Sequence, residues 1–206
     1  MVIGIVGAGG HAKVVADAIL AAEANRVLGF FDDDASLWGT TVLGHPVLGP
    51  VEAWASHALD ALAMGIGDNA ARKRQFDRLA AAGARLASVA HPRTTLGCGV
   101  ELGEGAVVLA GVVVNADSRI GANSILNTSC TVDHDCIVGP HTHLAPGASL
   151  AGDVRLGEGV FAGIGAKILP GISVGDWAVI GAGAVVTRHV EKGTTMVGVP
   201  ARVIRQ

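Results

Sequence analysis

The chain has 206 residues, 50% hydrophobic and 16% charged, with 30 Gly and only four Phe, three Trp and no Tyr. So few charges leave collapse nearly unopposed, which excludes a disordered chain and leaves enough residues for one large domain or two small ones. Fifteen Lys and Arg against 18 Asp and Glu give a net charge of −3, with no basic surplus for a phosphate backbone and few rings for base stacking, so nucleic acid is not an expected partner.

The first element in chain order is the apolar run Val2 to Val6, a buried parallel strand. Met1 leads straight into it, without the basic start and cleavage site of a signal peptide. Gly7-Ala8-Gly9-Gly10 breaks the strand before an amphipathic helix from His11 to Ala24. A second strand is predicted at Val27 to Phe31 and a third at Leu59 to Ile66. The helix that follows has Asp68 or Asn69 as cap and is kept wet by Arg72, Lys73 and Arg78. Residues 1–92 are thus expected to form a small, Rossmann-like α/β domain with a parallel sheet.

Beyond the His91-Pro92 pair, glycine and small residues take over, and the segment 93–206 is dominated by a repeat. Stepping by six from Leu96 to Val186 meets sixteen positions, of which fifteen are Leu, Ile or Val, with Ala162 the exception. Four residues after each of these, from Ala106 to Ala184, a second row is small or β-branched. A period of six suits short strands joined by turns, with the aliphatics stacking inward from coil to coil. Gly103, Gly121, Gly139, Gly157 and Gly175 recur every 18 residues, so three hexapeptides make one triangular coil, and left-handed or tight backbone is expected at these glycines.

Mean hydropathy is +0.49, yet no stretch free of Asp, Glu, Lys and Arg exceeds the 17 residues of 136–152, which carry two histidines, two prolines and three glycines. A membrane span needs about 20 apolar residues in line and is not expected. Cys98, Cys130 and Cys136 are odd in number and lack a CxxC pair, as reduced thiols do. A cytoplasmic protein is the expectation.

The ladder over residues 96–186 resembles the left-handed β-helix of hexapeptide acyltransferases. That resemblance implies homotrimers with active sites in clefts between neighbouring coils and between subunits. The glycine loop reads by itself as a phosphate cradle at a helix N-terminus, with Asp32 or Asp33 near the acidic position of a dinucleotide fingerprint. About ninety residues are too few for both halves of a dinucleotide fold, so a mononucleotide fits better than NAD.

Taken together, Gly7-Ala8-Gly9-Gly10-His11, Phe31-Asp32-Asp33, Gly65-Ile66-Gly67-Asp68-Asn69, His91-Pro92, Asn127-Thr128-Ser129, Val132-Asp133-His134-Asp135-Cys136 and Val197-Gly198-Val199-Pro200-Ala201 resemble the sialic-acid and pilin-glycan acetyltransferases of the NeuD/PglD type. By that resemblance Gly9, Gly10 and His11 hold the phosphates of a sugar nucleotide, and Asp32, Asp33 and Gly67 hold its nucleoside part. It also implies that His143, Ile164 and Ala182 bind acetyl-CoA and that the Gly152 N–H faces the thioester oxygen. The Val-Asp-His-Asp-Cys wording is similar to GDP-perosamine N-acetyltransferases.

Acetyl transfer needs a base and donors for a developing oxyanion. His134 lies two residues from each of the inward positions Val132 and Cys136, so its side chain is expected on a turn, facing outward. Asp133 and Asp135 flank it, and Asp135 stands where the family often has Glu. A carboxylate there would orient the imidazole. Cys130 and Cys136 fall on inward rows, which argues against a covalent acyl-enzyme. His134, Cys136, His141 and His143 are the alternative zinc constellation, disfavoured because Cys136 should point away from His134; no metal is expected. The expected activity is transfer of acetyl from acetyl-CoA to the amino group of a UDP- or GDP-linked 4-amino-4,6-dideoxy sugar. The alternatives are an O-acetyltransferase of the sialic-acid type and a non-catalytic sugar-nucleotide-binding protein.

Overall fold

A computed structural model describes residues 1–205. The N-terminal elements are β1 (Val2–Val6), α1 (Gly10–Ala21), β2 (Arg26–Phe31), β3 (Thr41–Val42), β4 (His45–Gly49), β5 (Ala61–Met64) and α2 (Asn69–Ala81). They form a five-stranded sheet in the order β3-β4-β2-β1-β5, parallel except at the β3/β4 hairpin. Apolar residues from β1, β2 and β5 enter clusters on both faces of the sheet, which explains the continuous apolar runs. The β3/β4 hairpin, with two residues in its first strand, carries no periodic signal in the sequence. Asp68 caps α2, its carboxylate accepting the Ala71 N–H at 2.7 Å. By contrast α1 starts at Gly9 with no side-chain cap, so its first amides remain available to an anion.

From Val89 the chain winds into a parallel β-helix, with the three-sided coil that the hexapeptide ladder predicts and the left-handed form that its family resemblance implies. Two-residue strands 18 positions apart pair in parallel, as Val113–Val114 pairs with Thr131–Val132. They stack as three sheets: the first runs through Thr95, Val113, Thr131, Ser149, Lys167 and Val185, the second through Glu101, Arg119, Ile137, Arg155 and Ser173, and the third through Val89, Val107, Ile125, His143, Phe161 and Val179. Aliphatics of the first inward row and small residues of the second fill one continuous interior. Leu96 departs from the row: it is 42% exposed, because no preceding coil covers the first sheet there.

The corner glycines do not carry the left-handed backbone expected of them. Left-handed backbone falls two residues after the predicted glycines, at Gly105, Asn123, His141, Gly159 and Trp177. Gly103, Gly121, Gly139, Gly157 and Gly175 are needed for close approach instead. A Cβ on Gly121 would lie 2.5 Å from Pro140 N, and one on Gly175 2.5 Å from Lys192 N. The backbone of the next coil crosses directly over each.

The α/β domain lies against the third sheet, and Val107, Leu109 and Ile125 join the apolar cluster under α1. At the neighbouring corner Arg72 is fully buried, contrary to the solvated face expected for it. Its guanidinium donates to Ile66 O, Gly67 O, Asn123 O, His141 O and Asn69 Oδ1 at 2.8–3.2 Å. Asn69 Nδ2 adds a bond to Gly159 O at 3.0 Å. Burial lowers the Arg72 pKa to about 10, so it remains a cation at pH 7, solvated by carbonyl dipoles rather than by a carboxylate. A buried charge is tolerable only when its donors are matched in this way.

Candidate active site

His134 stands on the corner between the first and second sheets, with its side chain 60% exposed. Its Nδ1 lies 2.7 Å from Asp135 Oδ2. Asp135 has φ +60°, a left-handed conformation that Asp adopts more readily than most residues. The hydrogen bond to Asp135 is the leading cause that raises the His134 pKa, followed by the charge of Asp133. With the Nδ1 proton directed at Asp135, Nε2 presents a free lone pair.

Gly152 occupies the same corner one coil on. A Cβ there would lie 2.7 Å from both Cε1 and Nε2 of His134, so only glycine leaves room for the ring. Gly152 is buried, and among the described residues its N–H has no hydrogen-bond acceptor. A desolvated free donor beside the imidazole is the requirement for stabilising an oxyanion. Cys136 is buried and its thiol donates to Ala151 O at 3.2 Å. Burial pushes the Cys130 thiol up to about 12 and raises that of Cys136 as well. Neither is a thiolate near neutral pH.

The glycine loop lies at the carboxyl ends of β1, β2 and β5, where open α/β sheets bind ligands. A cavity of about 110 Å³ there is lined by Gly7, Asp32, Asp33, Val51, Ile66 and Gln75. Asp32 braces the loop, its Oδ2 accepting the Ala8 N–H at 2.8 Å. Asp33 accepts from Val51 N and Gln75 Nε2. Adding a Cβ to Gly9 or Gly10 would meet nothing within 4 Å, so both residues border open space. Gly67 joins this group to the β-helix, because its carbonyl meets His143 Nδ1 at 3.2 Å as well as Arg72.

His143 projects from the third sheet, buried between His11 and Phe161 at ring-centroid separations of 6.0 and 5.3 Å. Burial pushes both His11 and His143 down to about 4, with the Arg72 charge adding to the effect. Both rings are neutral near pH 7, so a contribution of His11 toward phosphate would be that of a neutral group. Ile164, 63% exposed, and Ala182 stack on the corner between the third and first sheets. His134, Asp135 and Gly152 therefore share one corner, His143 and the glycine loop share another region, and Ile164 and Ala182 mark a third. Among the described residues no three His, Cys, Asp or Glu side chains converge on a possible metal position; His141 is tied to Asn123 at 2.8 Å, away from His134.

The roles of three residues were not visible in the sequence. Asn127 orients His143 through Nε2 at 3.1 Å, Asn115 supports Asp133 at 2.8 Å, and Arg72 joins the domains. The 18-residue coil length, applied to polar as well as apolar positions, would have found the Asn115–Asp133 pair.

Residues 2–79 match the PglD N-terminal domain, residues 94–116 the hexapeptide repeat of succinyl-transferase, and residues 153–188 the bacterial transferase hexapeptide of six repeats. Among solved structures, PerB from Caulobacter crescentus in complex with CoA and GDP-perosamine is similar at 39% identity and TM-score 0.93, over 98% of this chain and 97% of that one. The acetyltransferase domain of PglB from Neisseria gonorrhoeae in complex with acetyl coenzyme A shows 34% identity and TM-score 0.92 over 98% of both chains. WeeI from Acinetobacter baumannii shows 31% identity and TM-score 0.91, over 99% of this chain and 100% of that one. Matches to curated relatives are partial: 53 residues at 43% identity with a putative acetyltransferase of Schizosaccharomyces pombe, 26% of each chain. With the serine acetyltransferase of Escherichia coli the match is 50 residues at 54% identity, 24% of this chain and 18% of that protein. The match thus spans about a quarter or less of those relatives' length.

Proposed function

The chain belongs to the PglD/NeuD-type sugar acetyltransferases, and on that premise we propose that it transfers acetyl from acetyl-CoA to the amino group of a nucleotide-linked 4-amino-4,6-dideoxy sugar. The observation that carries this reading is the exposed His134–Asp135 pair against the free amide of Gly152. Between GDP and UDP, similarity to a relative captured with GDP-perosamine favours GDP.

Acetyl-CoA supplies the acetyl group as a thioester. His134 Nε2 takes the proton from the acceptor nitrogen as it attacks, and Asp135 holds the ring and stabilises the imidazolium that forms. The Gly152 N–H donates to the oxygen on which charge develops, and as the C–N bond forms the C–S bond breaks, the coenzyme leaving as a thiol with the proton that His134 has taken. Gly9, Gly10 and His11 receive the diphosphate, and Asp32, Asp33 and Gly67 the nucleoside. Segment 1–92 thereby serves as the sugar-nucleotide domain and 93–206 as the acetyltransferase domain. His143, Ile164 and Ala182 bind acetyl-CoA. The reduced-thiol pattern of the cysteines supports action in the cytoplasm.

One chain does not bring these groups together, which supports a homotrimer with sites shared between subunits. The third sheet is covered by the α/β domain, and the second presents Glu101, Arg119 and Arg155 to water. The first presents Thr95, Val113, Thr131, Ser149 and Val185, uncharged side chains suited to meeting another copy, with Lys167 as its one charged member, and both active corners border it. The deciding experiment offers UDP-, GDP-, dTDP- and CMP-linked amino sugars with acetyl-CoA and reads thiol release. Turnover with a GDP- or UDP-linked amino sugar is expected. Binding without thiol release on the whole panel refutes the reading.

A further inference from the structure

His134 is held by more than its bond to Asp135. Asp133 Oδ1 accepts the backbone N–H of His134 itself at 2.9 Å. The same oxygen accepts Asn115 Nδ2 at 2.8 Å, from the equivalent corner position 18 residues earlier. Ser118, on that preceding coil, donates its hydroxyl to Asp133 O at 2.7 Å and accepts the Cys136 N–H at 3.1 Å. Both ends of the turn that carries the imidazole are therefore pinned to the coil below. From the coil above, the Asp153 N–H donates to His134 O at 3.0 Å, and Gly152 leaves the ring no space for a bulkier neighbour.

We propose that Asp133, anchored by Asn115, is a second positioning residue for the His134 base, fixing its backbone from the preceding coil and placing a permanent negative charge beside it. Asp135 contacts the ring; Asp133 contacts the main chain, so the two constraints are independent. An asparagine–aspartate bond suits the task, because a neutral donor fixes the carboxylate without cancelling its charge. The Asn115 bond is also the leading cause that holds the Asp133 carboxyl below its usual range. Every acidic group facing the ring works in the same direction: Asp133 and Asp135 from its own turn and Asp153 from the next coil. Arg155 is engaged by Asp153 at 3.0 Å, and Arg119 stands 3.6 Å from Glu101. The Cys136 thiol is buried and uncharged.

The inference rests on His134 being the base, and the test separates the two. Asp133→Asn keeps the acceptor oxygen and removes the charge. It is expected to keep maximal kcat within about threefold while moving the acid limb of the kcat/KM profile to lower pH. Asn115→Ala keeps the charge and removes the anchor. It is expected to lower kcat on the order of tenfold with both KM values unchanged, since displacement of a reacting group costs rate rather than binding. Titration of the His134 ring by NMR, assigned by its loss in His134→Ala, reads the Asp133→Asn shift without turnover and on a chain whose fold is verified in the same spectrum. An acid limb and ring titration unmoved in Asp133→Asn, or wild-type kcat in Asn115→Ala, overturns the inference. If His134→Ala is inactive in the same assays, the base assignment survives that result.

Discussion

Gly152 lies over the imidazole of His134 so closely that a single added methyl would sit 2.7 Å from Nε2. Two residues 18 apart thereby share one corner, with the proposed base on one coil and the proposed oxyanion donor on the next. Gly152→Ala is expected to turn the ring aside and to lower kcat on the order of a hundredfold, leaving the KM for the sugar nucleotide near its original value. Steady-state kinetics with each substrate varied in turn check this; a wild-type kcat would remove Gly152 from the site.

Replacement of His134 by Ala or Asn should reduce turnover roughly 10²- to 10⁴-fold. Nucleotide binding, measured by calorimetry, should remain. The pH profile has a fixed sign. Asp135 and Asp133 raise the His134 pKa, so activity falls as pH drops through that raised value, where the ring is protonated and cannot accept. Asp135→Asn removes the leading cause and should carry the acid limb downward, with a lower plateau because the ring loses its orienting partner.

Stability should depend on pH through a different pair of histidines. His11 and His143 have folded pKa values of about 4 against the ordinary 6.5. The unfolded chain binds more protons between those values, so stability is full above about pH 6.5 and declines toward pH 4, by a few kcal/mol in order of magnitude. Thermal melts across that interval should show a falling Tm, and His143→Gln should flatten the slope.

Arg72 is expected to govern cohesion of the two domains. Arg72→Met leaves the carbonyls of Ile66, Gly67, Asn123 and His141 without this donor. The loss should reach about 3 kcal/mol or more. Denaturant unfolding measures it, and Arg72→Lys should recover only part, because an ammonium cannot span the same set of acceptors.

The first sheet supplies the test of assembly. Thr131→Glu combined with Ser149→Glu places like charges on the face proposed to meet another copy. Sedimentation should then report monomers and the acetyl transfer should be lost, while the melting profile of the β-helix persists in weakened form.

Much of this protein is determined locally. Hydrophobic spacing of six specifies short strands and turns whatever lies elsewhere in the chain, so the inward rows from Val108 to Val186, the outward stance of His134 and the glycine loop before α1 are all legible from neighbouring residues. The tertiary structure decided what depends on stacking and docking. Sequence spacing read Arg72 as solvated together with Lys73 and Arg78 of the same helix; only docking of that helix on the His141 corner buries it among carbonyls. The glycines at 103, 121 and 139 were legible as corners, but their cause, a backbone crossing 2.5 Å from where a Cβ would stand, exists only once coils are stacked. The same holds for Asn115 beneath Asp133 and Gly152 above His134. These pairs are distant along the chain and meet because each coil repeats the register of the last, so the chemistry arises from the winding rather than from any one segment.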